Sequence, residues 1–195
     1  MKHAVMAARL ASLGAVLGGL VLASCAGSPE SANGAAGSTS MAATWSPHGA
    51  AADFTARDVE GNTFRLGDHL GKEVVLLDFW STFCEPCKAE FPHLRALYAA
   101  NKGRGLLVVG VAMDGPESVA EVPAFVKRNR VDFPVVLDDD SRIASLYDPK
   151  KSMPLSILIG RDQRTLAVRE GYSPGDEKLV EADVAKALDE ASPAR

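Results

Sequence analysis

The apolar run Val74–Trp80 leads, after Ser81-Thr82-Phe83, into Cys84-Glu85-Pro86-Cys87. A run of that length and near-continuous apolarity suits a central parallel strand buried on both faces. Beyond the cysteines, Cys87, Phe91, Leu94, Leu97 and Tyr98 recur on one broad helical face. The two cysteines therefore stand at a strand-to-helix junction, and a C-x-x-C there reads as a redox dithiol. Cys84 falls at the helix start, where unpaired N–H groups and the helix dipole favour a negative sulfur. Thiolate is the reactive form, so this position makes Cys84 the nucleophile. Cys87 lies one turn in, more buried, placed to attack a mixed disulfide on Cys84. Two plainer uses of the pair remain open here. Half a zinc site would need two more ligands. A structural disulfide would close so short a loop that it would restrict the unfolded chain little.

Asp78 is the anomaly in the strand. A carboxylate there is costly unless neutral or paired, and desolvation raises its pKa. The alternative is a strand-edge position that reaches water. Glu90 follows Cys87 by three residues and lies on a neighbouring part of the helix surface. Glu85, between the cysteines, is expected to be exposed, with a charge that opposes a nearby thiolate. Pro92 removes a backbone donor inside the helix and predicts a kink.

Asp78-Phe79-Trp80 leading into C-x-P-C resembles the thioredoxin superfamily. The longer pattern C-E-P-C-K-A-E-F-P resembles its membrane-tethered bacterial branch, the ResA/TlpA-like thiol-disulfide oxidoreductases. The similarity covers roughly residues 50–190. It implies an α/β thioredoxin-like fold: a central mixed sheet flanked by helices, with an N-terminal β-hairpin and a central insertion. It also implies that Asp78 exchanges a proton with Cys87, that Glu90 joins in proton handling, and that Pro154 is a cis-proline opening the strand that faces the cysteines. Trp80, Phe83, Glu85, Pro86 and Met153 would then form the substrate contacts. No cofactor and no metal are implied. The chain departs from the branch at Asp78, where Asn is frequent, and at Phe83, where Trp is usual.

The rest of the chain is assigned around this core. Residues 53–57 and 63–66 flank the turn-rich Asp58-Val59-Glu60-Gly61-Asn62 and predict the hairpin. Residues 106–113 predict a second buried strand, and a helix is expected between residues 117 and 130. A short strand over 131–137, a short helix over 141–147, a strand over 152–159, a hairpin partner over 165–169 and a terminal helix around Leu179–Leu188 follow. His69 and His93 are expected at the surface.

Residues 10–23 are uncharged and apolar, preceded by Lys2 and Arg9. That is short for a membrane span and matches a signal-peptide core. Leu22-Ala23-Ser24-Cys25 is similar to the lipobox of bacterial lipoproteins, which implies cleavage before Cys25 and its acylation. The expected organisation is a signal peptide over 1–24, an acylated cysteine and tether over 25–49, and a thioredoxin-like domain over 50–195. The tether is rich in Gly, Ser and Ala and would reach roughly 25 Å. Ala26, with no Asp retention signal, favours the outer membrane of a Gram-negative cell. The formal charge of −4 offers no basic footprint for nucleic acid. The expected activity is extracytoplasmic reduction of protein disulfides, for example in cytochrome c maturation, fed by an upstream membrane electron donor. A peroxiredoxin-like peroxidase and a copper-delivery protein are the rivals. Thr82-Phe83-Cys84 lacks the peroxidase spacing, and the copper carriers use a wider cysteine spacing with a distant His.

Overall fold

Hydrophobic periodicity sets the layers. The computed structural model describes residues 49–148 and 150–190. Strands β1 (Thr55–Arg57) and β2 (Thr63–Arg65) form an antiparallel hairpin. Strand β3 (Val74–Trp80) follows, then helix α1 (Glu85–Asn101), strand β4 (Leu106–Ala112), helix α2 (Val122–Arg128), strand β5 (Val135–Leu137) and helix α3 (Arg142–Tyr147). Strands β6 (Leu155–Ile159) and β7 (Thr165–Glu170) and helix α4 (Glu177–Asp189) complete the described part. The main sheet has the order β5-β4-β3-β6-β7. β3, β4 and β5 are parallel, whereas β6 pairs antiparallel with both β3 and β7.

β3 is central and every one of its residues is buried. Side chains alternate across a strand, so Val74, Leu76 and Trp80 enter one core, with Phe91, Leu94, Phe125, Val180 and Val184 from α1, α2 and α4. Val75, Leu77 and Phe79 enter the other, with Ile143 and Tyr147 from α3 and Phe54 and Phe64 from the hairpin region. The hairpin and the α2–β5–α3 insertion stand where the sequence placed them.

The helix expected between residues 117 and 130 is present as α2, while two local expectations change, at residues 131–134 and at His69. Residues 131–134 do not join β5: Pro134 has no N–H to donate, and pairing with β4 begins at Gly110–Val135. The segment before α2 is a 3-10 turn, Val119–Glu121, and Pro123 sits in the first turn of α2, where a missing N–H costs nothing. His69 is half-buried rather than solvated; it stacks on Phe64 with ring centroids 5.2 Å apart and contacts Glu73 at 2.6 Å. α1 is assigned as one helix through Pro92.

Gly110 has a specific reason to lack a side chain. It is opposite Asp78 in the β3–β4 ladder. A Cβ there would stand 3.1 Å from Trp80 Nε1 and 3.3 Å from Val135 Cγ2. The bare backbone lets the Trp80 indole lie against β4.

Candidate active site

The site grows from the end of β3. Trp80 hands the chain to Ser81 and Thr82, whose path is held by β4's exit loop. Met113 N–H donates to Trp80 O at 2.8 Å. Asp114, fully buried, accepts from Thr82 N–H at 2.9 Å and from the Thr82 hydroxyl. The segment then turns, with Cys84 N–H donating to Ser81 O, and α1 begins at Glu85.

Cys84 is the N-cap residue of α1. Its Sγ accepts from Cys87 N–H at 3.3 Å, one of the donors that a helix's first turn leaves free. Pro86 occupies the first turn, where its missing N–H is no loss. Cys84 and Cys87 are joined as a disulfide. Cys84 retains 8% exposure and Cys87 only 1%, so Cys84 is the more approachable of the two. Glu85 is exposed and pairs with Lys88 at 2.7 Å, which offsets its charge near Cys84. Phe83 is 61% exposed beside Cys84, an unusual position for a large apolar ring.

The Met153–Pro154 peptide is cis. Pro154 lies just beyond Phe79–Leu155, the last pair of the β3–β6 ladder, at the end of β3 that turns toward the cysteines. Its carbonyl accepts from Gly171 N–H at 2.8 Å. Met153 is half-buried and packs against the cluster that contains both cysteines.

Asp78 and Glu90 are both buried, at 1% and 5% exposure. Burial pushes Asp78 well above the usual carboxylate range; the nearby Glu90 adds to this and the Ser156 hydroxyl opposes it. Burial likewise raises Glu90 to about 7, against the Ser156 hydroxyl and with help from Asp176. His93 is exposed on α1, near the Tyr172 ring.

Trp80 was expected among the substrate contacts and does not fit that role. It is fully buried, with its ring 4.6 Å from Phe91 and 4.8 Å from Phe125. Strand alternation sends it into the α1–α2 core, so it supports the site from beneath. Cys25 lies outside the described residues. Two groups at the site were missed. Asp114 reads in sequence as a turn former in Met113-Asp114-Gly115-Pro116, and its partner Thr82 is distant in the chain. Ser156 reads as one polar residue in an apolar strand; only the β3–β6 register places it opposite Asp78.

A profile of the AhpC/TSA family matches residues 47–168. The chain belongs to this family. Its curated relatives include the thiol-disulfide oxidoreductase ResA of Bacillus subtilis, 38% identical over 121 residues, covering 62% of this chain and 65% of that protein. ResA of Halalkalibacterium halodurans is 34% identical over 131 residues, covering 67% of this chain and 71% of its own length. The chain thus spans just under two thirds of the Bacillus subtilis relative. Among solved structures, one from Chlorobium tepidum described as a thiol:disulfide interchange protein DsbE aligns with a TM-score of 0.68 and 31% identity, over 74% of this chain and 99% of that one. A secreted Mycobacterium tuberculosis disulfide oxidoreductase homologous to Escherichia coli DsbE aligns with a TM-score of 0.59 and 26% identity, over 68% of this chain and 95% of that one. The fold is thioredoxin-like, and the sequence resemblance to the ResA branch of that superfamily stands.

Proposed function

We propose that this protein is an extracytoplasmic thiol-disulfide oxidoreductase that reduces protein disulfides through Cys84 and Cys87. The carrying observation is the joined cysteine pair at the α1 N-terminus, with Cys84 at the helix cap and the less buried of the two. The names of the relatives support the same chemistry. Reduced Cys84, held as thiolate by the first-turn N–H groups, attacks a partner disulfide. One partner sulfur leaves as thiolate, and a mixed disulfide forms. Cys87 then attacks Cys84 Sγ, the second partner sulfur leaves, and two electrons have passed to the partner. Asp78 and Glu90 handle the Cys87 proton. Phe83, Glu85, Pro86, Met153 and Pro154 border Cys84 and form the docking rim.

The reductive direction, an upstream membrane electron donor and partners such as apocytochrome c belong to this proposal. So do the signal peptide over 1–24, the acylated Cys25 on a tether to residue 49, and a lipid-anchored place in the bacterial envelope, facing the periplasm. Among the described residues no helix is long and apolar enough to cross a membrane.

The test is the reduction potential of the Cys84–Cys87 couple, from equilibration of the full-length chain with defined thiol buffers. A value near or below about −250 mV is expected of a reductant. A value near about −120 mV would make the protein an oxidant and overturn the direction. No reversible couple would overturn the exchange chemistry itself, leaving Cu(I) retention and peroxide turnover as the assays for the two rivals.

A further inference from the structure

Ser156 stands between the two buried carboxyls. β3 and β6 run antiparallel, and their register sets Asp78 opposite Ser156. Alternation along each strand puts both side chains on the face that carries Leu76, Trp80 and Leu158. α1 packs on that face and brings Glu90 to the same hydroxyl. Ser156 Oγ lies 3.5 Å from Asp78 Oδ1 and 3.4 Å from Glu90 Oε1. The other oxygen of each acid, Asp78 Oδ2 and Glu90 Oε2, is buried without a hydrogen-bond partner.

A hydroxyl carries one proton. It can donate to one carboxylate and accept from the other only when that other is protonated. Each acid then has one oxygen on Ser156 and one oxygen open. This is the connectivity of a relay: a proton arrives on the open oxygen of one acid and departs from the oxygen that faces Ser156. Glu90 is the outward end. It lines a cavity of about 230 Å³ between α1, β7 and α4, with Arg169, Tyr172 and Asp176 among its walls. That volume exceeds what several waters occupy.

Resting on the exchange chemistry proposed above, we propose that the Ser156 hydroxyl passes a proton from Asp78 to Glu90, and that the proton leaves the site through the cavity beside Glu90. When Cys87 attacks Cys84 Sγ, the new S–S bond forms and the bond to the partner sulfur breaks, its electron pair leaving on that sulfur. The Cys87 proton goes to Asp78 Oδ2. The proton on Oδ1 passes to Ser156 Oγ, and the Ser156 proton passes to Glu90 Oε1. An Asp78 that is neutral at rest still serves, because it gives one proton as it takes another. Burial favours neutral Asp78 and leaves Glu90 near 7, the polarity the relay needs.

The charged surroundings are those of an acidic mouth. Arg169 is paired with Asp183 at 2.6 Å. Burial raises Glu90 and Asp176 adds to it; burial and Glu177 raise Tyr172, and Glu90 adds to that. His93 from α1 acts on Glu177, and Glu170 and Glu181 complete the titratable lining. From the sheet side the neighbours Leu76, Trp80 and Leu158 are apolar.

The experiment follows the decay of the mixed disulfide on Cys84 of the full-length chain. It uses a disulfide-bearing peptide, acid quenching and mass analysis, from pH 5 to 9, in H2O and in D2O. Unmodified protein should show an inflection near the Glu90 value of about 7 and a solvent isotope effect. Ser156→Ala should resolve about a hundredfold more slowly and lose both signatures, the lower end of what a positioned proton-transfer group supplies. The isosteric pair Ser156→Thr and Ser156→Val differs only by the hydroxyl: Thr should restore the profile and Val should not. Urea unfolding of each variant accompanies the kinetics. A Ser156→Ala profile that matches the unmodified protein, or Thr and Val variants that behave alike, would overturn the relay and leave the exchange chemistry standing. An unmodified protein that forms no mixed disulfide would overturn both.

Discussion

Replacement of Glu90 by Gln should make the oxidised protein more stable than the unmodified one as pH rises. Glu90 is buried, and its pKa stands at about 7 in place of 4.5. A folded-state pKa above the unfolded value means that the native state holds a proton the unfolded chain has released. The stability tied to that proton is fully present below pH 4.5. It declines at about 1.4 kcal/mol per pH unit toward pH 7 and is gone above it. The decline amounts to about 3 kcal/mol. Gln does not titrate, so Glu90→Gln lacks this decline.

The expected observation is a difference of differences. Equilibrium urea unfolding of the disulfide form of both proteins, at pH 4.5 and pH 8, gives the stability gap at each pH. The gap should move by about 3 kcal/mol in favour of Gln on going from the lower to the higher pH. Any fixed cost of fitting an amide beside Ser156 cancels. Asp78 works in the same direction, because the loss of Glu90's negative charge eases its ionisation. Equal m values would show that the two unfolding reactions expose the same surface. A gap that stays constant with pH would refute the buried, neutral Glu90. A gap that moves against Gln would mean that Glu90 is an ionised, partnered carboxylate.

Three further outcomes follow from the same contacts. Asp114→Ala should cost about 1–3 kcal/mol in urea unfolding, since Thr82 N–H loses its buried acceptor; a cost under 0.5 kcal/mol would show that water replaces the carboxylate. Phe83→Ala should leave stability within about 0.5 kcal/mol, because the ring is exposed, yet lower kcat/KM for insulin disulfide reduction about fivefold if the ring contacts partners; an unchanged kcat/KM would remove Phe83 from the docking rim. Gly110→Ala should cost about 1–3 kcal/mol by driving a methyl against the Trp80 indole, measured as a lowered denaturation midpoint; no change would mean that the indole moves freely.

The fold was legible where one segment decides its own structure. The β3 run, the amphipathic face of α1 and the turn between β1 and β2 each carry their periodicity within a few residues. Asp78 could be flagged because a carboxylate inside an apolar strand is anomalous on its face, and Glu90 because it follows Cys87 by three residues and the family resemblance implies a Glu there. What was not legible depends on pairs brought together by topology. Ser156 acquires its position from an antiparallel register between strands far apart in the chain. Asp114 acquires its position from the exit loop of β4 meeting the exit loop of β3. Trp80 misled for a different reason. The family resemblance implied contact with a partner, but strand alternation turns it to the core.

The acids and the aromatic cluster are best understood together. Two carboxyls on the core face of a central strand and its covering helix oppose folding when ionised. Among the described residues Ser156 is the one hydroxyl within hydrogen-bonding reach of both, and it cannot satisfy four carboxyl oxygens. Packing around them must therefore hold the face closed. Trp80, Phe91 and Phe125 do so, in contact at 4.6–5.3 Å between ring centroids. Two of these rings flank the acids in sequence: Trp80 follows Asp78 by one strand repeat, and Phe91 follows Glu90 directly. The same short segments thus carry the group that destabilises and the ring that compensates for it. Such an arrangement keeps the two carboxyls buried without loosening α1, whose first turn follows directly from Cys84.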